Sequence, residues 1–210
     1  MSGEFKALGS YAGPNIPTSG LVLYLDAGNT KSYPGSGSTW YDLSGKGNDH
    51  TVTGSPTFSN GRFTLNGSTQ GFTKTSALTG ATATCTVVIW YSTSDTMELW
   101  VRGNQNNNYY LSAAEPNWVS YSYYHAGVGS PANYVDLTAT TYPSSSRNGS
   151  FHMWEAKTVN FSGWTYYEWF LYPSGWQMAG NVAAIFVYDR VLTAAESAQN
   201  YNALRGRFGL

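Results

Sequence analysis

Hydrophobic and polar positions alternate along much of this chain, and the run Val182 to Tyr188 (VAAIFVY) breaks the alternation by being apolar on both faces. A strand that is apolar on both sides is covered on both sides, so this run predicts a central strand. Leu21 to Asp26 (LVLYLD) predicts a strong strand and Cys85 to Ser92 (CTVVIWYS) a second core strand. Around them lie shorter segments with period two: His50 to Thr53, Thr57-Phe58, Arg62 to Asn66, Gly71 to Thr75, Glu98 to Arg102, Tyr109 to Ala113, Trp118 to Tyr124, Phe151 to Phe161 and Thr165 to Tyr172. Asn66-Gly67-Ser68 between two of them predicts a hairpin. In Phe151 to Phe161 the set holding Trp154 and Ala156 is expected to face the core.

A period of 3.6 occurs once, near the end. Thr193 followed by Glu196 predicts a capping box, in which the Thr hydroxyl accepts from the Glu196 N–H and the Glu carboxylate accepts from the Thr193 N–H. Ala195, Ala198, Tyr201 and Leu204 hold helical spacing, Leu192 can staple the first turn, and Gly206 can stop the helix. Asp189 and Arg190 between strand and helix read as a strand-end pair. Many strands and one terminal helix predict an all-β, two-sheet antiparallel sandwich.

The loops sharpen this picture. Residues 27 to 50 are turn-rich, with Trp40 and Leu43 expected to point inward, and Asp42 and Ser44 expected to pin the glycine turns through backbone N–H groups. Residues 1–19 read as an extended arm: Gly and Pro forbid regular structure, while Phe5, Leu8, Tyr11 and Ile16 are spaced apolar anchors for assembly. Residues 20–210 then form one domain.

Composition agrees. Charged residues are 11% and aromatics 16%, the opposite of a disordered chain. The formal net charge of -1 gives no global basis for binding nucleic acid or a membrane surface. No run approaches the roughly 18 apolar residues of a membrane span, and the first residues lack a signal-peptide apolar region. The single cysteine, Cys85, excludes an intrachain disulfide and reads as a buried small hydrophobe.

Candidate chemistry is sparse. None of the six Glu has an Asp two residues on, as a paired-carboxylate glycosidase strand would. Glu98 and Glu168 lie beside Trp100 and Trp169, which could line a sugar cleft, but a solvent-facing strand Glu is the plainer reading. His50, His125 and His152 carry no nucleophile or zinc motif. Sugar sites pair aromatic platforms with amides, and Trp100, Asn104, Gln105, Tyr109, Tyr110, Trp118, Tyr121 and Tyr123 supply that mixture. The same rings would serve a core or a subunit interface, and both readings stay open. Asp26, Asn29 and Asp42 are the candidate oxygen ligands for Ca2+, against a role in holding turns.

The succession LVLYLDA, WYDLSGKGNDH, GRFTLNGSTQGF, CTVVIWYS and AAIFVYDRVLTAAESAQNYNALRGRFG resembles the laminin-G-like (LamG) group of the concanavalin A-like lectin/glucanase superfamily, over residues 20 to 209. In style it resembles the copies in tailed-bacteriophage virions. The resemblance implies a jelly-roll β-sandwich with one short C-terminal helix, the first strand lying beside the last. It implies a non-enzymatic virion structural protein, at capsid, neck or tail, with a lectin-like face. That protein would sit on the virion surface, in many copies or as a homo-oligomer. It would dock other virion proteins through the arm, bind glycans of the host surface, and require no cofactor, with Ca2+ optional. Two alternatives are a carbohydrate-binding module or glycoside hydrolase of the same fold, and a decoration protein with no ligand.

Overall fold

A computed structural model describes residues 14–95, 99–103, 109–113, 131–140, 148–171 and 177–210. The strands among them are β1 (Leu21–Asp26), β2 (Thr39–Trp40), β3 (His50–Thr53), β4 (Thr57–Ser59), β5 (Arg62–Asn66), β6 (Gly71–Lys74), β7 (Cys85–Ser92), β8 (Leu99–Gly103), β9 (Tyr109–Ala113), β10 (Ala132–Val135), β11 (Thr138–Thr140), β12 (Phe151–Val159), β13 (Tyr167–Trp169) and β14 (Ala179–Tyr188). Among the described residues, one α-helix, α1 (Ala194–Leu204), is followed by a 3-10 turn at Arg205–Arg207.

The strands form two antiparallel sheets. The larger runs β11-β10-β12-β7-β14-β5-β4, with β1 also paired to β14; the smaller runs β2-β3-β6-β13-β8-β9. Strand β14 is the hinge of the larger sheet. Along one edge it pairs with β7 from Asn181↔Ser92 to Tyr188↔Thr86. Its other edge is shared end to end, by β5 at Ala179 to Val182 and by β1 at Ala184 to Tyr188. Having neighbours on both edges and packing on both faces explains why its sequence is apolar without alternation.

One face of β7 and β14 sends Val87, Ile89, Tyr91, Val182, Ile185 and Val187 into the core between the sheets. The other face sends Val88, Trp90, Ala184, Phe186 and Tyr188 into a second core beneath α1. There Trp90 stacks on Tyr201 at 5.8 Å and on Phe208 at 5.1 Å. Strand β12 contributes to both cores, Trp154 and Ala156 to the first and Phe151 and Met153 to the second. The capping box of α1 is present, with Glu196 N–H donating to Thr193 Oγ1 and Thr193 N–H donating to Glu196 Oε2 at 3.0 Å. The Arg190 guanidinium pairs with Glu196 rather than with Asp189, and this hydrogen-bonded pairing pulls the Glu196 carboxyl down to about 2.

Three expectations change here. The predicted hairpin at Asn66-Gly67 is a turn between sheets. The Asn66 side chain accepts from the N–H groups of Ser68 and Thr69, yet β5 pairs in the larger sheet and β6 in the smaller. The strand order is also not the simple ladder implied by the jelly-roll expectation, because β14 holds three partners and β1 lies off the main path. Of the assembly-arm residues, Phe5, Leu8 and Tyr11 lie outside the described residues, and Ile16 is buried in the core beneath α1.

Beneath α1 sits a buried carboxylate. Glu155 Oε1 accepts from Ser197 Oγ at 2.9 Å and lies 3.2 Å from Lys157 Nζ, while Oε2 has no partner among the described residues. Burial pushes the Glu155 carboxyl above its usual range. A raised folded value means that Glu155 contributes stability fully below the unfolded value of about 4.3, and that this is lost as pH rises through the folded value. Glu155→Gln should therefore gain stability relative to the parent as pH rises through that window, measured by urea unfolding at a series of pH values. A difference that stays flat with pH would refute the assignment.

Candidate functional site

The outer face of the smaller sheet carries the site. Strand β13 alternates: Tyr167 and Trp169 are buried, so Glu168 between them points outward. Cross-strand register then sets a row, Thr51↔Thr73↔Glu168↔Arg102, across β3, β6, β13 and β8. Thr53, next on that face of β3, has its hydroxyl 3.3 Å from that of Thr73. The rim of the groove is made by Ser68, Thr69, Tyr166, Leu171 and Gln177.

Glu168 is the centre of the groove. Arg102 Nε donates to Glu168 Oε2 at 2.6 Å, and an Arg102 terminal nitrogen contacts the same oxygen. The Tyr166 hydroxyl donates to Glu168 Oε1 at 2.8 Å. Both carboxylate oxygens are thus engaged, and both partners of the ion pair are largely shielded from water. Behind the floor, Trp169 Nε1 donates to His50 Nε2 at 2.9 Å, and His50 Nδ1 lies 2.9 Å from the Asn48 carbonyl. Nε2 accepts, so the ring proton sits on Nδ1. Full burial holds His50 down to about 4, which keeps it neutral and fixes this relay joining β13 to β3. Chemically, the groove offers hydroxyls and one neutralised ion pair, a set suited to ligands rich in hydroxyl groups.

Three of the sugar candidates named from the sequence lie in this sheet. Trp100, Tyr109 and Tyr110 lie on β8 and β9 of this sheet, where Arg102 pairs with Tyr110 and Gly103 with Tyr109. Asn104, Gln105, Trp118, Tyr121 and Tyr123 lie outside the described residues. Reasoning from sequence missed Thr53, Thr73, Arg102, Tyr166 and Gln177, and it set Glu168 aside as solvent-facing. The Tyr166-x-Glu168 alternation was the available signal, since period two puts both on one face.

The candidate calcium ligands are engaged elsewhere. The Asp26 oxygens accept from the Arg207 guanidinium at 2.7 and 2.9 Å, from Gly28 N–H and from the Tyr24 hydroxyl. Asp42 accepts from the N–H groups of Tyr24, Ser44 and Asn48. Asn29 Oδ1 accepts from Lys31 N–H. Among the described residues, no group of three or more His, Cys, Asp or Glu side chains is placed to hold a metal ion.

No protein-family model and no curated protein sequence matches the chain. Solved structures do. Trypanosoma rangeli sialidase in complex with sialic acid matches with a TM-score of 0.56 at 16% identity, over 91% of this chain and 34% of the sialidase. Domain 4 of AbnA, a GH43 extracellular arabinanase from Geobacillus stearothermophilus in complex with arabinotriose, matches with a TM-score of 0.56 at 14% identity, over 84% of this chain and 95% of that domain. The chain spans about a third of the length of the sialidase it matches.

These likenesses correct the family resemblance. They are to a sialidase and an arabinanase domain, not to a laminin-G-like or virion protein, so the fold is assigned by them and the concanavalin A-like jelly-roll assignment is replaced. The phage structural role and the non-enzymatic reading lose their support with it: the matched structures are a sialidase and a domain of an arabinanase, and at 16% and 14% identity they show a shared fold alone. The physical reason is that the segments carrying the resemblance, a doubly buried strand, a capped helix and a glycine-pinned loop, are scaffold devices. They recur wherever a β-sheet must be closed and covered, and they do not identify a family.

Proposed function

We propose that the chain is a carbohydrate-active domain that binds glycan in the groove on the outer face of the smaller sheet, in the setting of a glycan-degrading enzyme. One observation carries this reading: the Thr73–Glu168–Arg102 row, flanked by Tyr166 and Gln177, gathers hydrogen-bonding side chains on a partly shielded face held rigid from behind by the Trp169–His50 relay. The likeness to an arabinanase domain solved with arabinotriose supports it. Calorimetry against neutral and acidic oligosaccharides tests it. Thr73→Trp fills the floor of the groove and should weaken binding at least about tenfold, a loss of about 1.4 kcal/mol. Absence of binding to every glycan, or binding unchanged in Thr73→Trp, would overturn it.

Catalysis in the same groove is a second reading, favoured by the Tyr166–Glu168 hydrogen bond. A tyrosine activated by a carboxylate serves as nucleophile in some glycosidases. Aryl glycoside hydrolysis that is lost in Tyr166→Phe would support it, and no turnover by the parent would remove it.

A further inference from the structure

We infer, resting on the glycan-binding reading above, that the groove selects neutral glycans over acidic ones. Among the described residues, two charged side chains line it, Arg102 and Glu168, and each is already the other's partner. The guanidinium meets Glu168 Oε2 through Nε at 2.6 Å and through a terminal nitrogen, with Tyr166 holding the other oxygen at 2.8 Å. Sugar carboxylates are recognised by a guanidinium that turns its paired N–H groups toward the ligand. Here Nε and one terminal nitrogen are turned to Glu168 instead. An incoming carboxylate would have to displace Glu168 from Arg102 or lie beside Glu168 as a like charge, and like-charge juxtaposition in a shielded site is strongly unfavourable. A neutral sugar meets no such barrier. The Thr53 and Thr73 hydroxyls can each donate or accept. The two ligands named with the matched structures, sialic acid and arabinotriose, differ in this charge, and the ion pair favours the second class.

The test uses the full chain in calorimetry with arabinotriose and with matched pairs: lactose against sialyllactose, galactotriose against trigalacturonate, xylotriose against its glucuronosyl derivative. The neutral member of a bound pair is expected to bind at least about tenfold tighter than its acidic partner. Glu168→Gln keeps the shape but releases Arg102, and should shift that ratio several-fold toward the acidic member in a salt-sensitive way. Arg102→Gln leaves Glu168 as the charge lining the groove and should shift the ratio the other way. Tighter binding of the acidic members by the parent would overturn the charge selection while leaving glycan binding intact. So would a ratio unmoved in both variants. No binding to any member would overturn the glycan reading itself, and the selection with it.

Discussion

Replacing Arg207 with methionine should cost about 3 kcal/mol of stability, the lower end for breaking a buried ion pair, because the arginine keeps one side in water while Asp26 has none. Asp26 is fully buried, and its carboxylate takes both nitrogens of the Arg207 fork at 2.7 and 2.9 Å. The pair ties the end of β1 to the last turn of the chain, 181 positions away. It sits where Ala27 N–H donates to the Ala183 carbonyl, so it braces the β1–β14 junction as well. Removing the guanidinium leaves a charge without a counter-charge in a site water does not reach. Restoring neutrality should recover part of the loss, so Arg207→Met combined with Asp26→Asn should be more stable than Arg207→Met alone. Urea unfolding of the parent, Arg207→Met, Asp26→Asn and the double variant gives the coupling. A loss below about 1 kcal/mol for Arg207→Met would mean that the pair behaves as an ordinary surface bridge.

Phe63→Ala should cost more, about 3–5 kcal/mol. Phe63 is fully buried, and its ring lies 4.6 Å from Tyr33, 4.9 Å from Trp40, 5.0 Å from Phe72 and 5.2 Å from Phe58. Phe72 belongs to the smaller sheet and Phe63 to the larger, so this ring is where the two sheets interlock. Its loss removes four mutually oriented ring contacts, and the rigid neighbours can collapse into the space only in part. Thermal unfolding of the alanine variant measures the cost, and Phe63→Leu should recover much of it by refilling volume. A small loss in Phe63→Ala would show that the sheets are held elsewhere.

Both positions show what sequence conveys and what it does not. Local devices are legible because their partners are close in the chain: the Thr193–Glu196 box is separated by three residues, and the Asp42–Ser44 turn by two. The run Val182 to Tyr188 is legible because burial on both faces of β14 erases alternation. Pairings between distant segments leave no such trace. Nothing in DAGN announces that Asp26 meets Arg207, and Asn66-Gly67 has hairpin chemistry although the chain crosses there to the other sheet. The site suffered most from this. Glu168 does point outward, as a strand Glu should, but its meaning comes from Arg102 across one ladder and Thr73 across the other, both set by register.

The family resemblance failed for a related reason. It was carried mostly by the strands and capped helix of the larger sheet, and it included only Ser68 and Thr69 of the residues lining the groove on the smaller one. Scaffold pieces indicate how a sheet is covered and are silent on what its other face recognises.

The glycan-binding groove is tested most directly by a crystal structure of the chain with the oligosaccharide that binds it tightest. Sugar density is expected on the outer face of the smaller sheet, with hydroxyls hydrogen-bonded among Thr73, Tyr166, Glu168 and Arg102 and the Arg102–Glu168 pair intact. Sugar seated on the larger sheet, or an Arg102 swung away from Glu168 to hold a ligand carboxylate, would contradict it.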